Sequence, residues 1–126
     1  MDELNLADAT FIVATPDRVA GQVLDRALWG AWWPGLQVGE IVDRGIVGAR
    51  WQVSGEVTGT AELWLEPVLD GVVLHWFLRG RCHGRSAATT EDRYRRRWKR
   101  QVFRLKDRLE AGRAPGVKPD GVAAED

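Results

Sequence analysis

Cysteine is nearly absent from this chain of 126 residues. Cys82 stands alone, so no internal disulfide can form and stability has to come from packing. Serine and histidine occur twice each, as Ser54, Ser86, His75 and His83. Neither serine sits in a nucleophile elbow, which leaves a Ser-His-Asp hydrolase without support. One cysteine and two histidines, even with Cys82 beside His83, are too few for a typical structural zinc site, so no metal is expected. No apolar run approaches the ~20 residues of a bilayer-spanning helix. The acidic start MDELNLAD does not have the charged-then-apolar pattern of a signal segment, and a cytoplasmic protein is expected. GIVGAR at 45–50 lacks the glycine spacing and the lysine of a phosphate-binding loop. No nucleotide site and no cofactor are expected.

What is present is enough for one folded domain: apolar residues make up 44% and charged residues 29% of the chain, ordinary values for a globular core. Tryptophan is in excess, with seven copies against one tyrosine and three phenylalanines. The net charge is zero but unevenly laid out. Residues 1–78 carry 4 Lys/Arg against 11 Asp/Glu, a net −7; residues 79–113 carry 13 against 4, a net +9; residues 114–126 carry a net −2. Such asymmetry marks either a surface for an anionic partner or a basic element laid against an acidic one within the fold.

Ala7 to Ala14 is rich in β-branched and aromatic residues and reads as a strand. Thr15 is a helix N-cap followed by Pro16 at the first helical position, and Asp25 caps a second short helix that Pro34-Gly35 ends. Residues 36–44 alternate imperfectly, placing Leu36, Val38, Glu40 and Val42 on one face. Residues 49–57 place Ala49, Trp51, Val53 and Val57 on a dry face and Arg50, Gln52, Ser54 and Glu56 on a wet one. Residues 60–67 alternate likewise, with Ala61, Leu63 and Leu65 inward and Trp64 outward. Leu69-Asp70-Gly71 is a turn before the strand Val72 to Arg79. Residues 80–88 form a polar loop, and Thr89 or Thr90 caps a long helix in which Tyr94, Trp98, Val102, Leu105 and Leu109 make one apolar stripe. The expected class is α+β: about five antiparallel strands, two short helices after the first strand and one long helix closing the dry face. The domain spans 1–110, and 111–126 reads as a C-terminal tail without periodicity.

The run ATFIVATPDRV at 9–19, Asp25, WGAWWPGL at 29–36, GTAELWLEP at 59–67, Asp70-Gly71, and Arg97-Trp98-Lys99-Arg100 through Lys106-Asp107-Arg108-Leu109 together resemble the START-like SRPBCC superfamily. The likeness covers about residues 7 to 110 and points to actinobacterial members of the polyketide cyclase/dehydrase type. The resemblance implies a Bet v1-like helix-grip fold, shortened here by one hairpin near Ser54 to Gly59, because residues 36–79 hold four strands where the family has six. It also implies capture of a small hydrophobic or aromatic molecule between sheet and helix. Trp29, Trp32 and Trp33 fall at the elbow near the cavity mouth, while Trp51, Trp76 and Trp98 fall on inward faces. With Phe11, Val38, Leu63, Leu74 and Val102 they are the candidate lining of a pocket. The competing account is that the indoles simply fill the core.

For catalysis, the candidates are Glu40, placed by alternation on the dry face where a carboxylate resists ionisation, and more distantly Arg50. His75 alternates to the outside. The nine Lys/Arg between 93 and 108 could hold phosphates. Burial of Tyr94 and Trp98 in the apolar stripe removes the rings that would stack on bases, which argues against nucleic acid, and anionic membrane contact is disfavoured as well. Trp64, Val73 and Phe77 emerge on the sheet's other face, where a homodimer contact is plausible. A ligand carrier or sensor, a small cyclase-type enzyme, and an interaction protein acting through its basic helix or exposed sheet remain as function classes.

Overall fold

The computed structural model describes residues 3–110; the expected tail at 111–126 lies outside the described residues. The elements in order are β1 (Glu3–Ile12), α1 (Pro16–Val23), α2 (Arg26–Trp32), β2 (Leu36–Asp43), a 3₁₀ turn (Gly45–Val47), β3 (Gly48–Gly55), β4 (Val57–Val68), β5 (Gly71–Cys82) and α3 (Ala87–Glu110). The strands form one antiparallel sheet in the order β1-β5-β4-β3-β2. With the long C-terminal helix and the two short ones, this is the expected α+β helix-grip architecture.

Local chemistry explains most boundaries. The Thr15 side chain accepts from Arg18 N and Asp25 from Ala27 N, so both short helices start on the caps that the sequence offers. The long helix starts earlier than expected: Ser86 Oγ accepts from Thr89 N and the Ser86 carbonyl from Thr90 N. The cap is therefore Ser86, and Thr90 is buried within the first turn. Strand β1 begins at Glu3 rather than Ala7 because its register with β5 extends from Ile12↔Val72 to Glu3↔Arg81.

The concave face of the sheet collects Leu4, Leu6, Ile12, Val53, Val57, Leu63, Leu65, Leu74 and Leu78, and the stripe of α3 (Tyr94, Trp98, Val102, Leu105, Leu109) is buried against it. Helix α3 runs along β1 in the same direction. Arg95 Nη1 donates to the Ala7 carbonyl at 3.3 Å, Lys106 Nζ to the Phe11 carbonyl at 2.6 Å, and Val13 N to Glu110 Oε2 at 2.9 Å. The rest of the sheet is covered by α1 and α2, with the indoles of Trp29, in α2, and Trp33, at its C-cap, reaching across to Trp51 of β3 and Trp76 of β5. Strand β2, the other edge, keeps most of its side chains exposed. Among the described residues, no helix is long and apolar enough to cross a membrane.

Candidate functional site

Six of the seven tryptophans meet in the seam between sheet and helices. Trp29 stacks on Trp51 at 3.9 Å between ring centroids. Trp33 lies at the centre of the cluster, stacked on Trp76 at 5.6 Å and on Trp98 at 5.9 Å, tilted against Trp51 at 5.7 Å and edge-on to Trp32 at 5.7 Å. Trp76 and Trp98 close the group at 5.0 Å. Each buried ring removes ~150–250 Å² from water, so the cluster is a large share of the core's apolar burial. Leu63, Leu74 and Val102 are buried in the same core.

The polar ends of these rings are treated unequally. Trp29 Nε1 donates to the Val23 carbonyl at 2.9 Å and Trp98 Nε1 to Asp8 Oδ2 at 2.8 Å. The Nε1 groups of Trp33 and Trp76 are buried with no acceptor. Indole is a donor only, and a buried donor left unpaired costs about 1–3 kcal/mol.

Two carboxylates that sequence reasoning did not single out frame the seam. Asp8 projects from the concave face of β1, its side chain 7% exposed, and accepts from Lys99 Nζ at 2.6 Å, from Trp98 Nε1 and from Thr10 Oγ1 at 3.1 Å. Its signal was parity: a strand begun at Leu4 puts Leu4, Leu6, Asp8, Thr10 and Ile12 on one face. Glu56 is the single residue between β3 and β4. It accepts from Arg93 Nη2 at 2.5 Å and from the Tyr94 hydroxyl at 2.7 Å. Its N–H donates to the Gly35 carbonyl and its carbonyl accepts from His83 N, so one residue fastens the elbow's exit, the β3–β4 turn, the end of β5 and α3. A side chain at Gly35 would push the Glu56 carboxylate off its partners, and Gly55, at φ +105° and against the Gly35 carbonyl, is a position that requires glycine. The hydrogen bond from Arg93 holds the Glu56 carboxyl below its usual range against the opposing effect of burial, and Tyr94 adds to the lowering. Tyr94 itself is pushed upward by burial and then by its bond to Glu56.

The structure corrects several expectations. Glu40 does not share a face with Leu36 and Val38. The β2–β3 register breaks between Val38 and Ile41, so Ile41 pairs with inward Trp51 and Val42 with outward Arg50. The bulge sends Glu40 to the convex side, where it is exposed rather than set among the apolar side chains of the concave face. Arg50 is exposed on that side as well. Val38 pairs with Val53 on the concave face but remains 41% exposed. Phe11 lies on the convex face, opposite to Thr10 and Ile12, with its ring beside Gly71.

Glu40 and Arg50 do come together, with Val42, Arg44, Trp51, Gln52 and Thr60, around an open cleft of about 290 Å³ on the convex side. Farther along that face, His75 stacks on Trp64 at 4.4 Å and hydrogen-bonds Glu66 Oε1 at 2.9 Å. Val73 and Phe77 are half-buried there and Trp64 is 41% exposed.

No family model matches the chain, and no curated protein matches it in sequence. Solved structures do match it in shape. The Aha1 dimer of Colwellia psychrerythraea has a chain that superposes with a TM-score of 0.57 at 18% identity, over 88% of this chain and 99% of that one. The di-domain ARO/CYC StfQ of the steffimycin biosynthetic pathway superposes with a TM-score of 0.52 at 13% identity, over 84% of this chain and 47% of that one, about half its length. Both share the helix-grip architecture. At these identities the likeness is one of fold.

Proposed function

We propose that this domain binds a flat, largely apolar aromatic molecule in the tryptophan seam, as a carrier or sensor, and that the molecule enters by replacing Trp33 in the stack. The observation that carries this reading is the position of Trp33. It is held at the C-cap of the seven-residue helix α2, between Gly30 and the Pro34-Gly35 pair, and touches four other indoles. A ring on so short an element can swing out with the elbow, and an aromatic ligand would inherit its stacking partners. Fold likeness to a protein described as an ARO/CYC fits a grip that admits planar molecules. No standing cavity is needed, because filling and opening are two states of one element.

The test is tryptophan emission during titration with 1-naphthol, flavone and anthraquinone. Saturable quenching is expected for the native chain, and Trp33→Leu, which removes the plug while keeping an apolar side chain, should bind more tightly. Absence of saturable quenching in both proteins defeats the proposal. A second reading, homodimerisation through the convex face, is favoured by the half-exposed Trp64 stacked on His75 and by the dimeric state named for the Colwellia protein. Light scattering at high concentration that gives a strict monomer removes it.

A further inference from the structure

The positive charge of α3 is sorted by face. Cations turned towards β1 are satisfied within the fold: Lys99 by Asp8, Arg95 by Glu91 and the Ala7 carbonyl, Lys106 by Glu110 and the Phe11 carbonyl. Positions 93, 96, 97, 100 and 104 are all arginine, and at 3.6 residues per turn they fall within about 100° of arc. This stripe is only partly neutralised. Arg93 is held by Glu56, and Arg96 pairs with Asp92 where the two side chains are 74% and 57% exposed, a geometry of little energetic weight. Arg97, Arg100 and Arg104 make no ion pair among the described residues.

Thr89, Asp92, Arg93, Arg96, Arg97 and Arg100 line a cleft of about 310 Å³ over the first turns of the helix. Arg93 Nε is buried with no acceptor. A guanidinium presents a planar fork that fits phosphoryl oxygens in pairs, and the four forks of Arg93, Arg96, Arg97 and Arg100 around one small cleft call for more acceptor oxygens than Asp92 and Glu56 carry. The cleft is at the small end of ligand-site volumes. The exposed aromatic on this helix, Phe103, does not line it, so the site offers charge and hydrogen bonds without a stacking surface. We propose that this face of α3 binds a small molecule bearing two or more phosphoryl groups, at a site separate from the tryptophan seam.

The experiment is titration of the full 126-residue chain with sodium tripolyphosphate, followed by amide NMR at two salt concentrations. Saturable shifts are expected at residues 89–100, weakening as salt rises. The double variant Arg97→Gln/Arg100→Gln should keep its fold and lose roughly tenfold or more in affinity, while Arg81→Gln, an exposed cation elsewhere, should bind like the native chain. The proposal is overturned by an absence of saturation, by shifts centred on the Lys99 and Lys106 side, or by an equal loss in Arg81→Gln, which would mean net charge alone. Parallel titrations with phosphatidylserine vesicles and a single-stranded oligonucleotide separate the alternatives: binding to either that tripolyphosphate does not displace also overturns it.

Discussion

Both faces of the sheet carry stacked aromatic rings, yet only one shuts them away from water. On the concave side, Trp76 is fully buried and Trp33 and Trp98 lie against it. On the convex side, Trp64 stacks on His75 and His75 lies parallel to Phe77, but Trp64 keeps 41% of its surface exposed. Ring chemistry is the same on both sides. What differs is the cover, since α3 and the α1–α2 elbow press on one face only. Stability should therefore reside in the covered rings, while the open ones are free to meet a partner.

The largest expected effect comes from breaking this contrast directly. Trp76→Ala should destabilise the fold by about 3–5 kcal/mol, the range for deleting a large buried aromatic, whereas Trp64→Ala should cost at most about 1 kcal/mol. Urea unfolding of the two variants measures the difference. Comparable losses would mean that the convex stack is as structural as the seam.

The Glu56 knot comes next. Glu56→Gln keeps the shape but gives up the ion pair with Arg93 and the charge-assisted hydrogen bond from the Tyr94 hydroxyl, for an expected loss of about 2 kcal/mol. The carboxyl is held below its usual value, so its contribution is present above about pH 4.5 and disappears as pH falls through the lower folded value. Acid unfolding curves should thus converge: the advantage of the native chain over Glu56→Gln shrinks progressively as pH falls below about 4.5. A constant gap down to pH 2 would show that the carboxylate charge is not what stabilises the turn. At the alkaline end the sign reverses for Tyr94, whose raised value removes stability above about pH 10.

How much of this could be read beforehand depends on whether period and parity were intact. The α3 stripe and strands β3 to β5 follow their periods without interruption, and their inward residues, Trp51, Leu63, Leu74, Trp76, Trp98 and Val102, are buried. The caps at Thr15 and Asp25 were legible because capping needs only local side chains. Parity failed on β2, where a bulge inserts a residue that no composition signals, and it carried Glu40 and Val42 to the opposite side from Leu36. Phe11 was misplaced for another reason: a strand begun at Ala7 leaves out Leu4 and Leu6, whose parity with Thr10 and Ile12 puts Phe11 on the convex face. Glu56 was out of reach for a different reason: its partners are 21 to 38 positions away in sequence, at Gly35, His83, Arg93 and Tyr94. Pairings at that distance are set by tertiary structure.

A smaller effect is expected at Asp8, where the concave face admits one charged pair. Asp8→Asn retains an acceptor for Trp98 but leaves Lys99, whose side chain is 36% exposed, without its counter-ion. Because Lys99 can turn to water, the expected cost is about 1–2 kcal/mol, below the range for a fully buried pair. The indole emission of Trp98 should shift if its N–H bond is weakened. Unchanged emission together with unchanged stability would remove Asp8 from the seam's support.

The smallest effect should fall on the convex cleft, and it separates a binding grip from an enzyme. Glu40 is exposed and lies on the far side of the sheet from the stacked indoles, so Glu40→Gln should change stability by no more than about 0.5 kcal/mol and leave ligand quenching of the seam as in the native chain. A poly-β-ketone mimic turned over by the native chain but not by Glu40→Gln would reverse this ranking. It would make the cleft shared by Glu40, Arg50, Gln52 and Thr60 the reactive site, with its carboxylate in solvent and its charged partner on the opposite face of β3 from the stacked ring of Trp51. Arg50→Gln decides whether that partner matters: a carboxylate acting alone would survive its loss, whereas a site built on the pair would lose substrate affinity along with turnover.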